Sequence, residues 1–261
     1  MIDLIENLNL IQPCTDLVNL GFNYEVTKGA GIAVGTVSLP VLSKAFKNKN
    51  IKLLSNIQNK SFELSLLLAI PASIGLIIAS NEIVNALFGY GSFSTKDVEM
   101  TADALKYFGF GVPAFALIKI LSNFFFARNN TKSPFYISIF VVSANISISL
   151  SFFSQVGFII IPIATSISTW LGVIIYIYLL NKKRFLLLKS YLLISFLKIL
   201  ISTIIMSFIL ILALENYASY LDYVYKYKAF YLIGIVGFAG IIYLLLCQLL
   251  GLLKIRNYKT N

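Results

Sequence analysis

The sequence predicts an all-α, polytopic transmembrane helix bundle, with six full spans and a partial span on the N-terminal side. Three observations predict it. Of the 261 residues, 58% are hydrophobic and 12% charged, and the mean hydropathy is +0.85. An average soluble domain is roughly 25% charged, so a soluble globule could not hide this much apolar surface. The apolar residues also come in long runs, and about 20 such residues carry a helix across hydrocarbon. Finally, the charges are confined to short segments between the runs. Barrel strands would alternate apolar and polar residues, whereas these runs are apolar all round.

The spans run approximately Glu63–Ser80, Ala104–Ala127, Phe135–Phe153, Phe158–Leu180, Ser190–Leu214 and Ala229–Leu253. A shorter segment, Gly29–Ser43, reads as part of a span. The intervening loops set orientation. Lys44, Lys47, Lys49, Lys52 and Lys60 precede the first full span, and the next loop holds Glu82, Asp97, Glu99 and Asp103 against Lys96. Arg128 and Lys132 follow, then an uncharged turn near Ser154–Gly157, then Lys182, Lys183, Arg184 and Lys189. A mixed segment, Glu215–Lys228, and a basic tail with Lys254, Arg256 and Lys259 complete the series. Basic and non-basic loops alternate across six spans, which assigns the basic loops and the C-terminus to the cytoplasm. The net charge of +10 is therefore a sidedness signal, and no nucleic-acid partner is expected.

The most elaborate loop reads "LFGYGSFSTKDVEMTADALKYFGFG", Leu87 to Gly111. Ser94 is placed to cap a helix, with Asp97 as its capping-box partner and Phe93 spaced from Val98 as a hydrophobic staple. Gly89 and Gly91 supply the turn before it.

Charged residues at membrane depth default to functional hypotheses, and Lys119 and Lys198 qualify. Each has two readings. One is snorkelling or structural pairing, and the other is a cationic lining for a cavity that receives an anionic group. Pro71, Pro113 and Pro162 lie inside spans and have two readings: simple tolerance of proline in membrane helices, or kinks that free backbone carbonyls of the kind transporters exploit. Asn145, Thr165, Ser166 and Ser168 place small polar groups on neighbouring helices. Interhelical hydrogen bonding is one account of them, and weak monovalent-cation coordination is the other. Chemistry is nearly silent. The chain has no histidine, no paired carboxylates within a span, and no GxSxG, HExxH or Walker pattern. Cys14 and Cys247 form no metal motif, and Cys247 reads as a buried, inert thiol. No enzyme activity, cofactor or metal is expected.

Three ordered stretches carry a family resemblance: "GIAVGTVSLPVLSKAF" (Gly31–Phe46), the Leu87–Gly111 loop, and "KILSNFFFARNNTKSP" (Lys119–Pro134). Together they resemble the C-terminal half of the MurJ/MviN family, bacterial lipid II flippases of the multidrug/oligosaccharidyl-lipid/polysaccharide exporter superfamily. The resemblance is specific from Gly31 to about Trp170, and the last two spans fit by position. It implies two helical lobes around a central cavity, followed by two C-terminal helices beside a lipid-binding groove. It also implies alternating-access movement of the undecaprenyl-diphosphate-linked peptidoglycan precursor across the inner membrane, without covalent chemistry. The partners it implies are that precursor, membrane lipids and a separately made N-terminal half. Candidate substrate-binding or cavity residues are Lys119, Arg128, Lys132, Asn145 and Thr165.

The departures shape the expectation equally. The family's N-terminal lobe has no counterpart here. A family Tyr-x-Ala-Asp-Arg segment is replaced by "DLVNLGFNYEVTKGA", with Gly21 near the arginine position and Lys28 no equivalent. The expected organisation is a non-family, disordered leader over 1–28, a partial C-lobe over 29–181, and two helices with a basic tail over 182–261. Two alternatives stand beside a flippase half: a truncated, non-functional membrane remnant, and an exporter of a related polyprenyl-linked glycan.

Overall fold

A computed structural model describes residues 31–222 and 227–252. The leader over 1–28 and the basic residues of the tail lie outside the described residues. Within them the chain forms α1 (Gly31–Lys47), α2 (Ile51–Ile78), α3 (Ser80–Phe88), α4 (Thr95–Phe126), α5 (Lys132–Val156), α6 (Ile160–Lys182), α7 (Tyr191–Asn216) and α8 (Lys228–Leu249). No strand occurs among the described residues. Five continuous helical stretches are long and apolar enough to cross a membrane. One of these, Lys132–Lys182, is 51 residues long, which would reach about 75 Å if straight. It is a hairpin: Gly157 turns the chain at φ +73, a conformation costly for any residue with a Cβ. So α5 and α6 return alongside each other as the two spans the sequence predicts, reversing at the uncharged turn.

Two apolar cores share α2. The first gathers Leu42 of α1, Phe62 of α2, Leu121, Phe124 and Phe125 of α4, and Tyr176 and Leu180 of α6. The second gathers Leu67 and Ile70 of α2 with Ile199 and Leu210 of α7 and Ala239, Tyr243 and Cys247 of α8. Cys247 is a free, buried thiol, as the sequence reading has it. Helix α2 is thus the strut on which an α1–α4–α6 group and an α7–α8 pair are both built.

Two loops are shorter than expected. The basic segment Lys44–Lys60 is nearly all helix, since only Asn48–Asn50 separates α1 from α2. Lys52 and Lys60 therefore ride on α2, which starts twelve residues before the expected Glu63. Leu53 N–H donates to the Asn50 side chain at 2.9 Å, an N-cap that polar composition alone did not reveal. The acidic segment after α2 likewise contains α3 and the start of α4. There the local reading holds. Ser94 and Asp97 form the reciprocal capping box, and Phe93 packs with Val98, Ala102 and Val84.

Helices α1, α4, α6 and α8 all end in the same way. In each, one residue donates to the carbonyl five residues back and the residue before it to the carbonyl three residues back: Asn50 to Ala45 and Lys49 to Phe46, Asn130 to Phe125 and Asn129 to Phe126, Phe185 to Leu180 and Arg184 to Asn181, Leu252 to Cys247 and Gly251 to Gln248. These are Schellman motifs, which satisfy carbonyls left open at a helix end. They require a left-handed residue, supplied by Lys49, Asn129, Arg184 and Gly251. All four lie at one end of the bundle, the basic end. Lys44, Lys47, Arg128 and Lys182 stand beside negative helix poles there, where the macrodipole favours cations. The other end carries Glu82, Asp97, Glu99, Asp103, Glu215 and Asp222.

Candidate functional site

The five candidate residues fall in three places. Lys119 lies on α4 about 10 Å before the basic end of the helix, at 1.5 Å per residue. Phe108, Phe115, Lys119 and Phe126 recur at spacings of 7, 4 and 7 residues, which puts them on one face. That face is uncovered: the three phenylalanines are 39%, 46% and 37% exposed, and Lys119 is exposed. A lysine among exposed rings at this depth is poorly matched to lipid tails. The stripe has the chemistry of a surface that meets a partner or a wet cavity.

Arg128 and Lys132 occupy the turn between α4 and α5. Arg128 is engaged: Nη1 donates to the Phe124 carbonyl at 2.7 Å and Nη2 to the Phe185 carbonyl at 3.0 Å. Its guanidinium also lies over the rings of Phe185 and Phe46. Burial pulls its proton affinity below the ordinary guanidinium range, but an arginine stays charged in proteins. The chemistry is that of a clasp joining α1, α4 and the α6–α7 linker. Lys132 opens α5 and is exposed, free to meet a headgroup.

Asn145 and Thr165 meet between α5 and α6, with Asn145 Nδ2 donating to Thr165 Oγ1 at 2.9 Å. Thr165 Oγ1 donates on to the Ile161 carbonyl at 2.8 Å, and Ser149 Oγ donates to Asn145 Oδ1. This is the interhelical reading of the polar pair. Ser166, on the next face, donates to the Tyr107 carbonyl of α4 at 2.6 Å.

The prolines divide by position. Pro71 leaves the Leu67 carbonyl without its helical donor, and Pro113 does the same to Gly109. Each orphan is captured by a hydroxyl from another helix: Tyr243 Oη on Leu67 O at 2.6 Å, and Ser73 Oγ on Gly109 O at 2.7 Å. Trp170 Nε1 adds a bond to the Phe110 carbonyl. Pro162 sits in the first turn of α6, where its missing N–H costs nothing.

Three buried polar groups escaped the sequence reading. Glu63, only 8% exposed, pairs with Lys60 at 3.1 Å and accepts from Ser195 of α7 at 2.9 Å. Lys228, fully buried, donates to Asn85 Oδ1 at 2.9 Å and to the Gly89 carbonyl at 2.6 Å, with its ammonium over the Tyr90 ring. Gly89 is obligatory there, because a Cβ would collide with the Asn85 amide oxygen. Third, Gln58 and Asn59 are both fully buried against the α6–α7 linker. All of these fell at predicted span edges, where a charge or amide reads as solvated. Lys198 resolves toward pairing, since Nζ donates to the Leu250 carbonyl at the α8 C-terminus.

Residues 30–253 match the family model described as lipid II flippase MurJ. The chain belongs to the MurJ family. It is 32% identical over 241 residues to the probable lipid II flippase MurJ of Rickettsia prowazekii (strain Madrid E), covering 88% of this chain and 45% of that protein. A second relative, the lipid II flippase MurJ of Thermosipho africanus (strain TCF52B), is 32% identical over 181 residues, 69% of this chain and 35% of its own. Among solved structures, a lipid II flippase MurJ in an inward closed conformation superposes with a TM-score of 0.69 at 25% identity, over 85% of this chain and 43% of that one. The chain thus spans less than half the length of these MurJ relatives. The helical bundle and the membership agree on a multi-pass membrane protein, and the match extends through α7 and α8, beyond the motifs that carried the resemblance.

Proposed function

We propose that this chain supplies the C-terminal half of a lipid II flippase and moves the undecaprenyl-diphosphate-linked peptidoglycan precursor only together with an N-terminal half. The observation that carries this reading is the stripe on α4, where Lys119 stands among exposed Phe108, Phe115 and Phe126. The rings alone would suit lipid, but Lys119 among them would not, and a facing lobe with a water-filled, anion-receiving cavity between the two accommodates it. Residues 29–181 form the lobe, and 182–261 add the helix pair. Lys132 and Arg128 lie on the cytoplasmic side, in an inner-membrane protein whose C-terminus is cytoplasmic. The positive-inside rule supports that orientation, because the basic residues gather at one end of the bundle. Transport proceeds by a change of shape with no covalent step.

One chain offers few cations for a diphosphate at membrane depth, where a lone pair of charges is costly. The chain alone therefore does not flip lipid II. The test is growth of a flippase-depleted bacterium supplied with this chain, with and without the N-terminal half of a MurJ relative. Growth with both and not with one is expected. Growth with this chain alone would refute the two-part reading, and failure of the pair would favour a remnant.

A further inference from the structure

The linker between α6 and α7 has no helix or strand from Phe185 to Lys189, yet its backbone is held as closely as a strand. Gln58 Nε2 donates to the Phe185 carbonyl at 2.9 Å, and Gln58 Oε1 accepts from Leu187 N–H at 3.0 Å. Asn59 Nδ2 donates to the Leu187 carbonyl at 2.7 Å, and Asn59 Oδ1 accepts from Lys189 N–H at 2.7 Å. Two side-chain amides thus present to alternate linker residues the donor–acceptor pairs that a neighbouring strand would present. Ser55 Oγ adds a bond to Leu187 O, and Lys189 Nζ reaches Asn56 Oδ1. Further along, Ser195 meets Glu63, Tyr243 meets Leu67, and Lys228 meets Asn85 at the far end.

We propose that Gln58 and Asn59 are positioning residues that read the linker backbone and fix the α7–α8 pair to α2, so that α2, α7 and α8 travel as one body. Buried amides paired in this way are costly to release, because each broken partner leaves a polar group without water. The bonds run along α2 from Ser55 to Leu67, and Asn85 of α3 takes Lys228 at the opposite end, so the pair cannot swing about a single point. Shape change in transport is then taken up on the opposite side of α2, at the face that carries Lys119. The last step of this inference rests on the flippase reading; the fastening does not.

Amide hydrogen exchange on the protein in lipid nanodiscs tests the fastening. Leu187 and Lys189 should exchange at least ~100-fold more slowly than Leu186 and Leu188, whose amides donate to neither side chain. Equal rates at all four would overturn the proposal. Gln58→Met should release Leu187 and leave Lys189 protected, and Asn59→Leu the reverse, because each amide is held by a different side chain; a merely space-filling role would not separate the two. Should either variant fail to fold, as judged by helical content, the alternation in the unaltered protein still decides. For the transport step, Asn56→Cys and Lys189→Cys are bridged by a short dithiol-reactive linker, with Cys14 and Cys247 replaced by Ala, in the two-part assembly. Lipid II movement into reconstituted vesicles should survive bridging. Loss on bridging, with movement intact before it, would overturn the one-body inference. No movement even before bridging would instead count against the flippase reading and remove the transport step with it, leaving the exchange result to decide the fastening.

Discussion

The Tyr243 hydroxyl donates at 2.6 Å to the carbonyl of Leu67, the group that Pro71 deprives of its helical donor four residues on. A defect in α2 is thereby turned into an attachment point for α8. Replacing Tyr243 with Phe leaves that carbonyl orphaned in an apolar core and should cost about 1 kcal/mol. In a Pro71→Ala background the helical donor returns, so the same change should cost measurably less. A double-mutant cycle read by thermal unfolding in detergent checks the coupling, and additive losses would refute it.

Lys228 joins the start of α8 to the end of α3 through Asn85 and Gly89. Lys228→Met keeps the stem and removes the donor, leaving two buried acceptors unmatched. A loss of about 2–3 kcal/mol is expected. Local amide exchange should rise first across α3 and the N-terminal turn of α8, while the α1–α4–α6 core stays protected.

Arg128 and lysine should not be exchangeable. The guanidinium serves two carbonyls and lies over two rings at once, geometry that a point-charge ammonium does not reproduce. Arg128→Lys should therefore lower the unfolding midpoint nearly as far as Arg128→Ala, by several degrees. Full stability of the lysine variant would show that charge alone is what matters in this turn.

Lys119→Met separates the two readings of the α4 stripe. The side chain is exposed, so the isolated chain should keep its stability within about 0.5 kcal/mol. In the two-part assembly, lipid II movement should fall by tenfold or more if Lys119 faces the anion-receiving cavity. Unchanged movement would return Lys119 to a snorkelling role.

Much of this fold is legible in the sequence because lipid leaves few choices. Apolar runs of about 20 residues must be helices, and Ser94, Asp97 and Phe93 announce the start of α4 from short-range chemistry alone. What the sequence hides is long-range pairing. Nothing local distinguishes Gln58 and Asn59 from other polar residues near a lysine-rich turn. Their partners at Phe185, Leu187 and Lys189 lie some 130 residues on, and are backbone groups with no sequence signature. Likewise, proline announces an orphaned carbonyl but not the donor: Pro71 and Pro113 are visible, whereas Tyr243 and Ser73 are found only once helices pack. Asn145 with Thr165 sat between these cases, since their facing positions on consecutive helices made a hydrogen bond the simpler account.

The Schellman turns at the basic end carry a consequence for how the chain can vary. The left-handed position in such a turn favours glycine, yet Lys49 takes it after α1 and Arg184 after α6, with φ of 52 and 55. A cation there accepts roughly 1 kcal/mol of backbone strain in return for a charge at the helix terminus. Punctuation and address are written in the same letter. A glycine at either place would relax the turn while erasing part of the signal that tells the bundle which way up to sit, so the two properties cannot be improved together at these positions.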